Sequence, residues 1–137
     1  MPGTGAPTSQ LSKLGIVPGA RWSVVGADRA WAFELAPDAA AEVAASAPAD
    51  VVVAFARTSA ELAAHLDAGE PRIFPAGALW IAWPRRAAGH VSELGDTLVR
   101  ETVLARGTLV DTKVAAIDRD WSALKFVWRR ELRTTSS

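Results

Sequence analysis

The apolar residues of this chain occur in short unbroken runs that turn-forming residues interrupt, a pattern that predicts buried strands. The clearest run covers residues 50–56, DVVVAFA. A β-branched run without polar alternation is typical of a strand covered on both faces, as in a parallel sheet. Two similar runs, residues 21–25 and 78–83, are stopped by Gly26 and Pro84 and predict two further strands.

Helix signals lie between these strands. Thr58 stands three residues before Glu61, which is the spacing of a capping box. A helix is therefore expected to start at this point, to turn Leu62 and Leu66 towards the core and to end at Gly69.

Two other stretches carry weaker helix signals. Ser92 predicts the cap of a helix that runs to Gly107, and residues 28–35 predict a shorter helix. Residues 37–47 are ambiguous, because a helix start and a weak strand over 41–46 both fit them.

The C-terminal part of the chain has a different pattern. Residues 109–117 predict a strand, and in residues 124–130 apolar and more polar positions alternate. Alternation is typical of an antiparallel strand with one wetter face near a sheet edge. The two strands are close enough in sequence to form a hairpin.

The order of strands and helices defines the expected fold. Helices that connect consecutive strands require parallel pairing with right-handed crossovers. We therefore expect an α/β fold: a doubly wound, mostly parallel, Rossmann-like sheet that ends in an antiparallel β-hairpin. It should form a single domain over residues 11–132, between a disordered tail over 1–10 and a frayed tail over 133–137.

Composition excludes several chemistries. The 137 residues include no Cys and two His, which removes disulfides, thiolate nucleophiles and Cys-ligated metals. Fifteen basic and fifteen acidic residues balance, so a broad basic surface for nucleic acid is not expected. Neither a signal peptide nor an apolar run of membrane-spanning length is visible, so the predicted location is the cytoplasm.

The carboxyl ends of the parallel strands are where open α/β sheets bind ligands. Lys125 is included among the candidates because a final antiparallel strand would return it to this edge. The predicted ligand-binding residues are Gly26, Asp28, Arg29, Thr58, Ser59, Trp83, Arg85, Arg86, His90, Asp118, Trp121 and Lys125.

Two interpretations of this edge remain open. Arginines could hold an anion by bidentate hydrogen bonds while Trp rings hold a flat group. Alternatively, the charged side chains pair with one another, as loop residues at strand ends commonly do.

Single residues allow the same choice. Thr58 and Ser59 fit helix capping better than an oxyanion site. The spacing of Asp118 and Asp120 is open to Mg²⁺, yet Asp is common in turns for its own hydrogen bonds. His90 fits a surface histidine better than a base. We expect no catalytic residue and no metal site.

The chain resembles the class I methyltransferases, which are Rossmann-like and end in an antiparallel hairpin. The residues that carry this resemblance are Pro18-Gly19, Asp50-Val51-Val52 and Pro75-Ala76-Gly77-Ala78-Leu79. The resemblance is architectural, extends over about residues 15–131 and implies S-adenosylmethionine as the cofactor of such a fold.

A closer resemblance is to a family of small actinobacterial proteins of unknown function. It rests on Lys13-Leu14-Gly15-Ile16-x-Pro18-Gly19, on residues 79–84 (LWIAWP) and on Trp121-Ser122-x-Leu124-Lys125-Phe126-Val127. This resemblance favours a strand over residues 41–46 and implies no activity.

The chain departs from the methyltransferase pattern at the cofactor turn. Gly26 is the single glycine after the first strand, whereas close approach of a cofactor favours several. No acidic residue stands near Ser46, where the second strand should end. We therefore expect no cofactor, with S-adenosylmethionine as the alternative.

The leading hypothesis is a non-catalytic Rossmann-like domain that binds a small anionic or nucleotide-like ligand, or a protein partner, at the carboxyl edge of the sheet. A first alternative is an S-adenosylmethionine-dependent methyltransferase with an atypical pocket. A second is a protein-interaction module or homodimer without a small-molecule ligand.

Overall fold

The structure, a computed structural model, describes residues 9–85, 89 and 91–133 of the chain. In this part of the chain it contains α1 (Gln10–Leu14), β1 (Arg21–Val25), β2 (Ala41–Glu42), β3 (Val51–Phe55), α2 (Ser59–Ile73), β4 (Ala78–Pro84), α3 (Asp96–Leu104), β5 (Leu109–Ala116), β6 (Trp121–Trp128) and α4 (Arg130–Arg133).

The strands form one mixed sheet with the order β2-β1-β3-β4-β6-β5. The four strands from β2 to β4 are parallel, and β6 is antiparallel to both β4 and β5. The predicted α/β class and the terminal hairpin are confirmed. Within the hairpin, β6 lies next to β4 and β5 forms the edge of the sheet.

Each face of the sheet carries its own core. Leu66 of α2 and Val99 of α3 pack with Val52 of β3 on one face. On the other face, Leu14 of α1 packs with Val53. The second face is covered by this five-residue helix and by the irregular chain between β1 and β2. A doubly wound sheet has long helices on both faces, so this part of the prediction is corrected.

The central strands β3 and β4 agree best with the unbroken apolar runs of the sequence. All five residues of β3 and all seven of β4 are buried, since both faces are covered and both strands have neighbours on each side. The indole Nε1 of Trp80 in β4 donates to the carbonyl oxygen of Leu14 at 3.0 Å, which attaches α1 to the sheet.

Helix α2 begins as predicted but ends later. The hydroxyl of Thr58 accepts a hydrogen bond from the backbone N–H of Glu61 at 3.1 Å. The helix passes Gly69 and continues to Ile73. A Cβ atom at Gly69 would lie 3.2 Å from the Leu79 side chain, so this glycine allows close helix–sheet packing and does not end the helix.

Three other predictions about the helical and irregular segments are corrected. Residues 28–35 form no helix, and the strand expected over 41–46 has only two residues. Helix α3 begins at Asp96, because the Ser92 hydroxyl instead accepts from the nearby N–H of Leu94.

The β5–β6 turn is tighter than predicted. One carboxylate oxygen of Asp118 accepts from the backbone N–H groups of Asp120 and Trp121, at 2.9 and 3.1 Å. This turn closes within a few residues, so β6 starts at Trp121, three residues before the predicted start at Leu124.

The domain also extends past both predicted boundaries. Gln10, which was assigned to the N-terminal tail, is buried in α1 and donates from Nε2 to the carbonyl oxygen of Ile117 at 2.8 Å. Arg133, assigned to the C-terminal tail, is the last residue of α4. None of the helices in the described ranges is both long enough and apolar enough to cross a membrane.

Candidate functional site

The carboxyl ends of β1, β3, β4 and β5 meet at one edge of the sheet, called here the carboxyl edge. Residues 26–31, 56–59, 85 and 117–121 follow these strand ends. The topological rule thus brings most of the predicted site residues to one edge.

An aromatic cluster lies beneath this edge. The ring of Phe55, the last residue of β3, is 4.8 Å from that of Trp31 and 4.8 Å from that of Trp121. Phe33 packs edge-on against Trp31 at 5.0 Å. The rings therefore contact one another, and Trp121 is only 8% exposed.

Arg57 covers this cluster from the solvent side. Its guanidinium carbon lies 4.9 Å from the Trp121 ring centre, a cation–π contact, and its Nη2 donates to Asp28 at 2.8 Å. An anion at Arg57 would have to compete with the Asp28 carboxylate for its charge.

Asp118 is also fully engaged. Its Oδ2 accepts from Trp31 Nε1 at 3.0 Å, and its Oδ1 holds the β5–β6 turn. Both oxygens thus serve the fold, which disfavours the Mg²⁺ interpretation. In the described ranges, no three His, Asp or Glu side chains are grouped so that they could hold a metal ion.

Arg85 joins the end of β4 to the same turn. Its backbone N–H donates to the carbonyl oxygen of Asp120 at 2.8 Å, and its Nη1 lies 3.3 Å from the carbonyl oxygens of Asp118 and Arg119. Its guanidinium therefore stabilises a loop by hydrogen bonds to backbone carbonyls.

The start of α2 already has anionic partners. Thr58 is the cap, and the backbone N–H of Ser59 donates to Glu93 Oε1 at 2.6 Å. Glu61 Oε1 accepts from the N–H of Arg57 at 2.6 Å. These carboxylates occupy the positions that an oxyanion would take at a helix N-terminus.

His65 also lies at this edge and was not among the predicted binding residues. From α2 its Nε2 reaches the carbonyl oxygen of Phe55 at 2.9 Å. It also lies against Gly26, where a Cβ atom would be 2.9 Å from Nε2 and 2.4 Å from the Phe55 oxygen. Gly26 has φ +77°, so glycine is required there for its conformation and for this close approach.

His65 lies at the point where the strand order of the sheet reverses. The chain leaves β1 towards β2 on one side and continues from β3 to β4 on the other, so the switch point lies between β1 and β3. Ligands of doubly wound folds bind in the crevice at this point. Here the imidazole of His65 stands between the two strand ends.

The remaining predicted residues are dispersed. Trp83 is buried in the core beneath α2 and α3, because residues two apart in a strand face the same side and Ile81 faces this core. Lys125 lies in the middle of β6 opposite Trp80, away from the carboxyl edge, because β6 starts earlier than predicted. Arg29 is exposed beside Asp28, and Arg86 and His90 lie outside the described residues.

The charges along this edge are mixed. The described part of the edge carries the arginines Arg29, Arg57, Arg85 and Arg119 together with the carboxylates of Asp28, Glu61, Glu93, Asp118 and Asp120. A surface of both signs offers no general attraction for an anion or for nucleic acid.

Comparisons with known proteins inform the fold. No protein-family model matches this sequence, and no curated protein matches it. A chain in the crystal structure of the fibrillarin/Nop5p complex is similar in structure, with a TM-score of 0.50 and 12% sequence identity over 88% of this chain and 82% of that chain. At this identity the similarity shows a shared fold, that of the class I methyltransferases, and nothing further.

Proposed function

We propose that this chain is a non-catalytic binding domain built on the methyltransferase fold, and that a protein partner binds to the carboxyl edge of its sheet. The observation that carries the proposal is the contact of His65 with Gly26 and Phe55 at the switch point.

This contact argues against a cofactor of the methyltransferase type. Such a cofactor needs its crevice free, whereas here the exposed Gly26 at the end of β1 has the His65 side chain packed against it. His65 occupies space between the ends of β1 and β3, and its hydrogen bond to Phe55 holds it there. The methyltransferase resemblance then applies to the sheet and not to the reaction.

The aromatic cluster and the charge pattern favour a protein over a small anion. A flat ligand would need a free Trp face, whereas Trp121 contacts both Phe55 and Arg57. Arg is enriched in the energetically important contacts of protein interfaces, and mixed charges provide complementary pairs. The similar fibrillarin chain is itself in a complex with Nop5p, which supports a protein partner here.

Site-specific photo-crosslinking in native cells tests this proposal. A crosslinking amino acid at position 29 or 119, both exposed at the carboxyl edge, should yield an adduct of the same partner. Matched positions 101 on α3 and 17 in the α1–β1 connection, at the opposite edge of the sheet, are also exposed and should yield none. Adducts that form equally at all four positions, or only at the two control positions, would contradict the proposal.

A methyltransferase with an atypical pocket is the second candidate, and the shared fold favours it. It requires that S-adenosylmethionine displace His65 from the crevice. Saturable binding of that cofactor to the purified protein is its direct test.

A further inference from the structure

The three lysines of the chain lie on one face of the sheet. Lys113 and Lys125 are direct cross-strand partners in β5 and β6, so their side chains project from the same face. Lys13 belongs to α1, which covers that face, and its Nζ donates to the carbonyl oxygen of Ala116 at 3.3 Å. Like charges directly opposite each other, as at Lys113 and Lys125, are unfavourable, so a bound anion would stabilise this pair.

A cavity of about 430 Å³ adjoins Lys125. It lies between the α1–β1 connection and the starts of β3 and β4, at the edge of the sheet opposite the carboxyl edge. Its lining combines the apolar residues Leu14, Val17, Pro18 and Val127 with polar groups that include Lys125 and Asp50. Its volume falls within the range of small-molecule sites, about 300–1,000 Å³.

The charge in this cavity is not balanced by its own walls. Asp50 is the acidic residue among the described lining residues, and it already accepts from the backbone N–H of Arg21 at 2.8 Å and from its Nη2 at 3.1 Å. Within the described ranges, the ammonium groups of Lys125 and Lys113 have no hydrogen-bond or ion-pair partner. Lys125 as a whole residue is half-buried.

We propose that this cavity beside Lys125 binds a small phosphomonoester that carries an apolar group. Lys125 in the lining and its exposed cross-strand partner Lys113 at the side of the cavity supply positive charge for a phosphate monoester, whose charge is about −1.5 to −2 at neutral pH. Lysine binds phosphate as a point charge without demanding a fixed geometry, and the apolar walls would hold the organic part. The site is separate from the carboxyl edge, so it does not depend on the proposed protein partner.

Calorimetric titration with phenyl phosphate tests the site, with benzoate as an anion of similar apolar size. Wild-type protein should bind phenyl phosphate saturably and more tightly than benzoate. Lys125→Gln should weaken phenyl phosphate binding by about tenfold, since a charge-assisted hydrogen bond is lost. Arg29→Gln removes the same charge at the carboxyl edge and should leave the affinity close to that of wild type.

A second variant tests the cavity separately from the charge. Val127→Phe fills the space beside Lys125 and keeps the ammonium group, so it should weaken phenyl phosphate more than inorganic phosphate. The proposal is overturned if wild type shows no saturable binding at millimolar phenyl phosphate, or if Lys125→Gln binds like wild type. Equal losses in Lys125→Gln and Arg29→Gln would also overturn it, because they would indicate general charge attraction. Thermal melting of each variant verifies that it is folded.

Discussion

The Nε2 atom of His65 lies 2.9 Å from the carbonyl oxygen of Phe55, and this hydrogen bond ties α2 to the end of β3 at the switch point of the sheet. Gly26 closes the arrangement from the side of β1, since a methyl group there would lie within 3 Å of both the imidazole and the carbonyl oxygen. The half-buried His65 side chain thus occupies the crevice in which this fold usually binds its ligand, with Gly26 exposed at the rim.

Alanine at Gly26 should therefore destabilise the domain beyond the cost of its backbone conformation. Gly107 is the matched control, because its φ of +79° is close to the +77° of Gly26 and no atom lies within 4 Å of a Cβ there. Gly107→Ala should cost about 1–2 kcal/mol of unfolding free energy for the left-handed conformation. Gly26→Ala should cost about 1–3 kcal/mol more because of overpacking. Urea denaturation measures both, and equal losses would show that the crevice has spare room.

Two tryptophans on the same face provide a second comparison. Trp31 Nε1 donates to Asp118, whereas Trp22 Nε1 is buried without a hydrogen-bond partner in the described part of the chain. Replacement by Phe removes a similar ring area at each position. Trp31→Phe should be more destabilising than Trp22→Phe by about 1–3 kcal/mol, since it breaks a hydrogen bond to a charged group. If Trp22→Phe proves the more damaging change, the link between Trp31 and Asp118 does not hold this edge together.

Asp50 should contribute a pH-dependent part of the stability. Hydrogen bonds from the side chain and backbone of Arg21 lower the pKa of Asp50. A lowered folded-state pKa stabilises the protein above the unfolded value of about 4 and loses that contribution as the pH falls further. The difference in unfolding free energy between wild type and Asp50→Asn should be constant near neutrality and shrink on acidification below that value. It should be small, because the Asp50 side chain is 47% exposed. A difference that does not change with pH would contradict this assignment.

The lysine pair predicts an increase in stability on mutation. Lys125→Gln removes the repulsion from Lys113 and should raise the unfolding free energy by about 0.2–1 kcal/mol in dilute buffer without phosphate. High salt should reduce the gain, because it screens the repulsion. Lys13→Gln, the matched control, removes a hydrogen bond to Ala116 and should not stabilise. A loss of stability in Lys125→Gln would mean that its ammonium group has a favourable partner in the fold.

The sequence correctly predicted the elements that depend on an unbroken apolar run or on contacts between residues close in sequence. The run at residues 50–56 became a strand buried on both faces, and the spacing of Thr58 and Glu61 began α2 as expected. The rule that ligands bind at the carboxyl ends of strands predicted the common edge on which Asp28, Arg85 and Asp118 lie.

Other features depend on contacts between distant residues, which a single sequence does not reveal. Residues 28–35 form no helix because Trp31 is held by Asp118, 87 positions away, and by Phe55. The closure of the crevice depends on how α2 lies against β1 and β3, so the role of His65 was missed. The position of Lys125 was wrong because the turn at Asp118 is shorter than the polar residues around it suggested.

The central claim is that His65 occupies the crevice between the ends of β1 and β3. Titration of ¹⁵N-labelled protein with S-adenosylmethionine or S-adenosylhomocysteine tests this claim most directly. The backbone amide of Gly26 is the reporter. We predict that neither compound produces saturable shifts at Gly26 or His65 at millimolar concentration. Saturable shifts centred on Gly26 would contradict the claim and identify the chain as a cofactor-binding methyltransferase domain. Such binding should also stabilise the protein by about 2.7 kcal/mol at a ligand concentration of about 100 times the dissociation constant.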